Sequence, residues 1–314
     1  MQADNSNVKQ RILIIGAGEL GLAMLRGFAA RSKEPLSITV LLRKSAVESH
    51  AIEKKRDIAE IQNLGVAIEV ADVAEATVDE LAAVLSSYDT VISCLGFTAG
   101  RGTQRKLTEA ALKSSVKRYI PWQFGVDYDL VGRGSPQDLF DEQLDVRDML
   151  RAQQKVEWLI VSTGMFTSFL FDPLFGIVDL SRGRVSALGS LNTAVTVTTS
   201  EDIGSLTAAI VLHTPRLTNQ VVYTAGDTLT YGDLADLIER VTGRNIERRE
   251  QSVQQLKADL DEKPEDSLRK YRAVFAMGRG VAWDMAGTFN SRHGLPVTSA
   301  EQWLRANLSR IEAT

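Results

Sequence analysis

Arg11-Ile-Leu-Ile-Ile-Gly-Ala-Gly-Glu-Leu-Gly21 decides how this chain folds. The apolar run Ile12 to Ile15 is short and uninterrupted, so it reads as a parallel strand buried on both faces. It stops at Gly16. Gly18 and Gly21 complete a G-x-G-x-x-G spacing, and Leu20 to Ala30 then reads as a helix. Each glycine has a physical task. Gly16 allows a tight turn, Gly18 lets a pyrophosphate approach the backbone, and Gly21 lets the helix pack close to the strand. The free N–H groups and dipole of that helix, at Glu19 and Leu20, face the anion. Glycine-rich strand-to-helix turns also occur without ligands, but a strand before the glycines and a helix after them favour dinucleotide binding.

The same alternation continues outward from this stretch. Strands are expected at Ser37 to Leu42, Val66 to Val70, Thr90 to Cys94, Arg118 to Pro121 and Val156 to Ser162. Between them lie helical patterns at His50 to Leu64, Thr77 to Leu85, Gln104 to about Ser114, and Leu139 to Ala152. Repeated strand–helix units joined by right-handed crossovers give an α/β fold, a doubly wound parallel sheet of the Rossmann type. Beyond Ser162 the alternation loosens. Val185 to Leu188 and Ala194 to Thr198 read as a short strand pair around Gly189 and Asn192. Glu201-Asp202 opens a helix to about Leu212, and Val221 to Thr224 is a strand. Tyr231 to Thr242, Val253 to Leu260, Ser267 to Met277 and Ser299 to Leu308 read as helices. The expected division is a dinucleotide-binding domain over 1–164 and a smaller substrate-side region over 165–314, with elements interleaved into the first.

Composition narrows the function. The 314 residues carry a net charge of -4, which offers no overall basic field for nucleic acid. A single cysteine, Cys94, cannot form an intrachain disulfide and suits a reducing compartment. The polar start, Met1 to Gln10, has no apolar signal core, and no apolar run is long enough to span a bilayer. A cytoplasmic protein bound neither to membrane nor to nucleic acid is expected. His50, His213 and His293 are far apart and show no zinc-ligand spacing. Neither G-x-S-x-G nor G-x-x-x-x-G-K-[ST] occurs, so acyl transfer by a serine elbow and P-loop chemistry have no motif.

Arg43-Lys44 follows the second strand, where an NAD-selective site offers an acidic residue to the ribose. A cation there suits a 2′-phosphate and points to NADP(H); the alternative is an ordinary solvated basic pair. Asp72 ends the third strand and either contacts the adenine amino group or caps the next helix. Gly96 and Phe97, after the fourth strand, border the ligand crevice. Pro121-Trp-Gln-Phe-Gly-Val-Asp-Tyr-Asp129 holds three aromatics just past the fifth strand. Such a loop either covers the nicotinamide end of a cofactor or plugs the sheet edge. The segment Thr163-Gly-Met-Phe-Thr-Ser-Phe-Leu-Phe171 either lines a pocket or is core. Asp127 and Asp129 read as solvated loop carboxylates.

Over nearly its whole length the chain resembles the isoflavone-reductase-like, NmrA-like branch of atypical short-chain dehydrogenases/reductases. Gly16-Ala-Gly-Glu-Leu-Gly21, Leu42-Arg43, Val91-Ile-Ser-Cys-Leu-Gly96, Gln104, Val116-Lys-Arg-Tyr-Ile-Pro-Trp-Gln-Phe-Gly125 and Glu201-Asp-Ile-Gly204 carry the resemblance. It implies NADPH-dependent reduction of phenylpropanoid-like aromatic substrates, or, in NmrA-like members, NADP sensing without turnover. Cofactor contacts are then expected from Gly16, Gly18, Glu19, Leu20, Gly21, Arg43, Lys44, Asp72, Gly96, Phe97, Gln104 and Gln123. Substrate contacts are expected from Trp122, Phe124, Met165, Phe166 and Phe169.

The chain departs from the family in two places. Trp122-Gln123 stands where the family reads Ser-Glu. The helix that carries the family's catalytic lysine, in a pattern like F-x-x-K-x-K-V-R, here reads Phe140-Asp-Glu-Gln-Leu-Asp-Val-Arg147. Both lysine positions are changed, to Gln143 and Asp145. Gln143 is therefore expected to position the substrate oxygen, with the proton from Tyr128 or from water. Two readings stand: an NADPH-dependent reductase of a small aromatic carbonyl, enone or benzylic ether, and a non-catalytic NADP(H) sensor acting through a protein partner. The missing lysine favours the sensor, and the aromatic strand ends favour the enzyme. A homodimer is left open.

Overall fold

Ile12 to Ile15 lie wholly inside the protein, in strand β1 (Gln10–Ile15) of a seven-stranded sheet. The computed structural model describes residues 9–31 and 36–312. The sheet continues with β2 (Leu36–Leu42), β3 (Ala67–Val70), β4 (Thr90–Ser93), β5 (Arg118–Ile120), β6 (Glu157–Ser162) and the strand Gln220–Tyr223. Its order is Gln220–Tyr223, β6, β5, β4, β1, β2, β3. All seven strands run parallel, with Ile12 of β1 opposite both Ile38 of β2 and Thr90 of β4. The order reverses at β1. Its connection and that of β4 leave toward opposite sides, which opens a crevice at the strands' C-terminal ends.

Burial explains the sequence pattern. Every residue of β4 is buried, as a central parallel strand requires, whereas the edge strand β3 is only partly covered. Helices Val78–Leu85 and Thr103–Lys113 turn Leu81, Leu85, Leu107, Ala110 and Ala111 onto the sheet, where they pack with Leu13, Val91 and Tyr119. Helices Glu19–Arg31 and Ser200–Val211 touch backbone to backbone. A Cβ on Gly27 would lie 2.5 Å from the carbonyl oxygen of Gly204, and one on Gly204 would lie 2.2 Å from that of Ala23.

Two compact units share the chain. One holds the described residues up to Gln123 together with Asp145–Val161 and Ile203–Val221; the other holds Phe124–Leu144, Ser162–Asp202 and the described residues from Val222. The second unit contains two three-stranded sheets. Ala194–Thr198 lies between Asp227–Thr230 and Met165–Phe166, and Arg184–Leu188 lies between Glu247–Gln251 and Val178–Asp179. The expected pairing of Val185 to Leu188 with Ala194 to Thr198 does not form. Gly189, at φ +91°, donates its N–H to Gln251 O, and the turn Ser190–Thr193 sends the chain into the other sheet. Helices Tyr231–Thr242, Val253–Glu262, Ser267–Ala276 and Ala300–Glu312 complete this unit. Among the described residues, no helix is long and apolar enough to cross a membrane.

Candidate functional site

In the first unit, the C-terminal ends of β1 to β4 surround a cavity of about 450 Å³. The glycine turn forms its floor. Gly16 sits at φ +91°, and a Cβ on Gly21 would lie 2.1 Å from Gly16 O, so the helix start is pressed onto the turn. A Cβ on Gly18 would meet nothing within 4 Å, because Gly18 faces the cavity. Open backbone at a helix N-terminus is the chemistry a pyrophosphate needs, and Glu19 begins that helix. Leu20 is buried beneath it. These residues fit a dinucleotide.

Arg43 lines the cavity as the residue before the short helix Lys44–Val47. Lys44 does not line it. Its ammonium points to Glu48, 3.7 Å away on the exposed surface. The second cation at the cavity is Lys54, in the first turn of helix Ile52–Asn63, where it also reaches Asp57 at 2.8 Å. Sequence reasoning missed Lys54 because it lies in a charged helix that reads as a solvated face. Asp72 lines the cavity too, with Oδ1 accepting the Ala74 N–H at 2.9 Å. It does not cap the next helix. Thr77 does so, in a reciprocal pair with Glu80.

Gln104 is buried, and its Nε2 donates to Leu95 O at 2.8 Å; Leu95, Ala99 and Thr103 line the cavity instead. Phe97 and Trp122 meet edge to face at 4.6 Å, and a Cβ on Gly96 would lie 3.1 Å from the indole. Gln123 is fully buried and accepts from Arg147 Nε at 2.8 Å. Among the described residues, no group of three or more His, Cys, Asp or Glu side chains is placed to hold a metal ion.

The remaining predicted residues belong to the second unit. Phe124 is buried. Tyr128 is 2% exposed, stacks edge to face on Phe140 at 4.9 Å, and sets its hydroxyl so close to Gly125 that a Cβ there would lie 2.6 Å away. Asp127 is buried, contrary to the solvated role expected for it. Its Oδ1 accepts the N–H groups of Asp129 and Leu130, and its Oδ2 accepts the Tyr223 hydroxyl at 2.7 Å. Gln143 is fully buried. Met165 is buried and pairs with Val197; Phe166 precedes the short helix Thr167–Leu170, and Phe169, 39% exposed, meets Phe175 edge to face at 5.9 Å.

The model of the NmrA-like family matches residues 8–284. The chain belongs to the NmrA-like family. It is 46% identical over 301 residues, 95% of this chain and 98% of the relative, to an NmrA-like family domain-containing oxidoreductase of Gibberella moniliformis. It is 30% identical over 247 residues to phenylcoumaran benzylic ether reductase 1 of Arabidopsis thaliana, covering 76% of this chain and 77% of that one. In fold it is similar to the solved structure of AtPrR2 with NADP+ and (+)pinoresinol. The TM-score is 0.79, identity is 21%, and coverage is 96% of this chain and 99% of that one. Within this NmrA-like chain, the two positions expected to carry lysine are settled locally. Gln143 is inside the second unit, and Asp145 faces Arg105 of the first unit's helix Thr103–Lys113 at 3.6 Å.

Proposed function

We propose that this chain is an NADPH-dependent reductase of a small aromatic, phenylpropanoid-like substrate, acting on a carbonyl, an enone or a benzylic ether. One observation carries the reading. Arg43 and Lys54 flank the cavity that begins at Gly16 to Gly18, and no acidic residue stands at the end of β2. A 2′-phosphate there meets a guanidinium and an ammonium, with the pyrophosphate on the glycine turn. NADPH, when bound, supplies the hydride. The relatives support this reading by their names, an oxidoreductase and a benzylic ether reductase, and by the NADP+ and pinoresinol of the similar structure.

The Phe97–Trp122 pair supplies an aromatic wall beside the end of β4, and the family resemblance assigns substrate contacts to Phe124, Met165, Phe166 and Phe169 within the second unit. Gln143 holds the substrate oxygen by a hydrogen bond, and the proton comes from Tyr128 or water. Residues 1–164 carry the cofactor in this reading and 165–314 the substrate side.

The test is loss of NADPH absorbance with a panel of aromatic carbonyls, enones and lignan-like ethers, with products identified by mass spectrometry. A second reading, an NADP(H) sensor acting through a protein partner, draws on Gln143, which cannot give up a proton at neutral pH. Tight NADPH binding with no turnover across the panel decides for the sensor.

A further inference from the structure

We propose a second anion site, for a phosphorylated small molecule, at the N-terminal edge of the seven-stranded sheet. A cavity of about 650 Å³ lies there, in the first unit, within the size range of small-molecule pockets. It is not the cofactor cavity. Leu36 opens β2 and lines this one, whereas Leu42 closes β2 and lines the other. Six strand steps separate them, roughly 20 Å at the usual rise per residue.

The lining is basic. Arg31, Lys117, Arg118, His213 and Arg216 surround it, with Asp89 the one acidic side chain among the lining residues. Asp89 is already engaged. It takes the Lys117 ammonium at 2.9 Å, and the backbone N–H and Nε of Arg11 at 3.0 and 3.4 Å. Arg216 reaches Glu157 at 2.8 Å. Arg118 is 1% exposed, and its guanidinium donates to two carbonyls, Val211 O at 2.7 Å and Leu217 O at 2.5 Å. Those bonds clamp the chain after helix Ser200–Val211 and satisfy donors, but they carry no full negative charge. The Arg118 Nε is buried with no acceptor. Burial, and then the nearby charge of Arg216, draws the Arg118 pKa down to about 10, against the opposing pull of Glu157.

Four cationic side chains, Arg31, Lys117, Arg118 and Arg216, thus face two carboxylates in a chain whose net charge is -4. The positive field is local and does not follow from composition. Three of the four are arginines, whose planar forks match phosphate oxygens in pairs. A phosphate group in this cavity would add the negative charge that the carbonyls around Arg118 cannot.

The test is calorimetric titration of inorganic pyrophosphate into the full chain saturated with NADPH, which keeps the cofactor cavity filled. Saturable binding is expected. Arg31→Ala or Arg216→Ala should weaken it about tenfold, the scale of one lost charge-assisted hydrogen bond. Both side chains are exposed, so thermal unfolding should show the variants folded. Arg43→Ala, at the other cavity, should leave pyrophosphate binding unchanged. Absence of saturable binding at millimolar pyrophosphate overturns the proposal. So does an affinity that neither variant lowers, or one that falls only with Arg43→Ala.

Discussion

Gly18→Ala and Gly21→Ala should separate binding from folding within four residues of one turn. At Gly21 the added methyl carbon would sit 2.1 Å from Gly16 O and 2.8 Å from Gly16 C, both backbone atoms of the same turn. Relief requires the helix to retreat by about an ångström, and overpacking of this kind costs roughly 1–3 kcal/mol. The midpoint of thermal unfolding should fall, and NADPH affinity should fall with it. At Gly18 the methyl meets no protein atom within 4 Å, and its φ is not positive. Replacing glycine there should change stability by between zero and about +1 kcal/mol, through the unfolded chain. The methyl would nevertheless project where a pyrophosphate must lie. A steric penalty of roughly 1–3 kcal/mol corresponds to about a ten- to hundredfold loss of NADPH affinity. Calorimetric titration with NADPH, alongside thermal unfolding, reads both quantities. If Gly18→Ala binds NADPH as tightly as the parent, this turn is not the pyrophosphate seat and the reasoning fails.

Arg43→Ala and Lys54→Ala should each weaken NADPH binding about tenfold or more while sparing NADH, and Lys44→Ala should alter neither; equal losses for the two cofactors would count against a 2′-phosphate site. Gln123→Leu removes the acceptor of the buried Arg147 Nε and should cost about 1–3 kcal/mol in chemical denaturation, whereas a neutral result would show the bond to be dispensable. Burial raises the Asp89 pKa, but hydrogen bonds from Lys117 and Arg11 outweigh it and hold the carboxyl at about 2. Because the folded-state value is depressed, this contribution is present above the unfolded value near 4 and disappears as pH falls toward about 2. Asp89→Asn should therefore lower the unfolding midpoint at neutral pH, with the gap closing in strong acid. Tyr128→Phe should cut turnover roughly a hundredfold or more if its phenol gives the proton, and full turnover would leave water as the donor. Gln143→Lys would place an ammonium at a fully buried position, so destabilisation is expected rather than gained activity.

The first half of the fold was legible because its strands are central and parallel. Ile12 to Ile15 and Thr90 to Ser93 are buried on both faces, and uninterrupted apolar runs of that length have few other uses. The second half hides its pairings. Arg184–Leu188 pairs in parallel with Glu247–Gln251, about sixty residues away, and that partner reads E-R-R-E-Q with no apolar alternation. The glycine turn and Arg43 were equally visible, since both sit at strand ends that the sheet brings together. Lys54 was not, because its value comes from the cavity it faces rather than from its neighbours in sequence. Asp127 was misjudged for a related reason. Its partners include the Tyr223 hydroxyl, which arrives from a distant strand, and no local pattern announces that bond.

The contact at Gly27 and Gly204 bears on the pyrophosphate seat proposed at the glycine turn. With only hydrogen at each crossing point, the helix that presents its N-terminus to the cavity is braced from behind by main chain rather than by side chains that could change rotamer. A seat supported in this way is preorganised. For a dinucleotide bound as proposed, little ordering cost would be left for the moment of binding, and contact energy would pass into affinity with small loss. The same brace makes the pair a mechanical fuse. One methyl at position 204 would tilt the helix, and the effect would be felt at the opposite end, as a misaligned first turn at the proposed pyrophosphate seat.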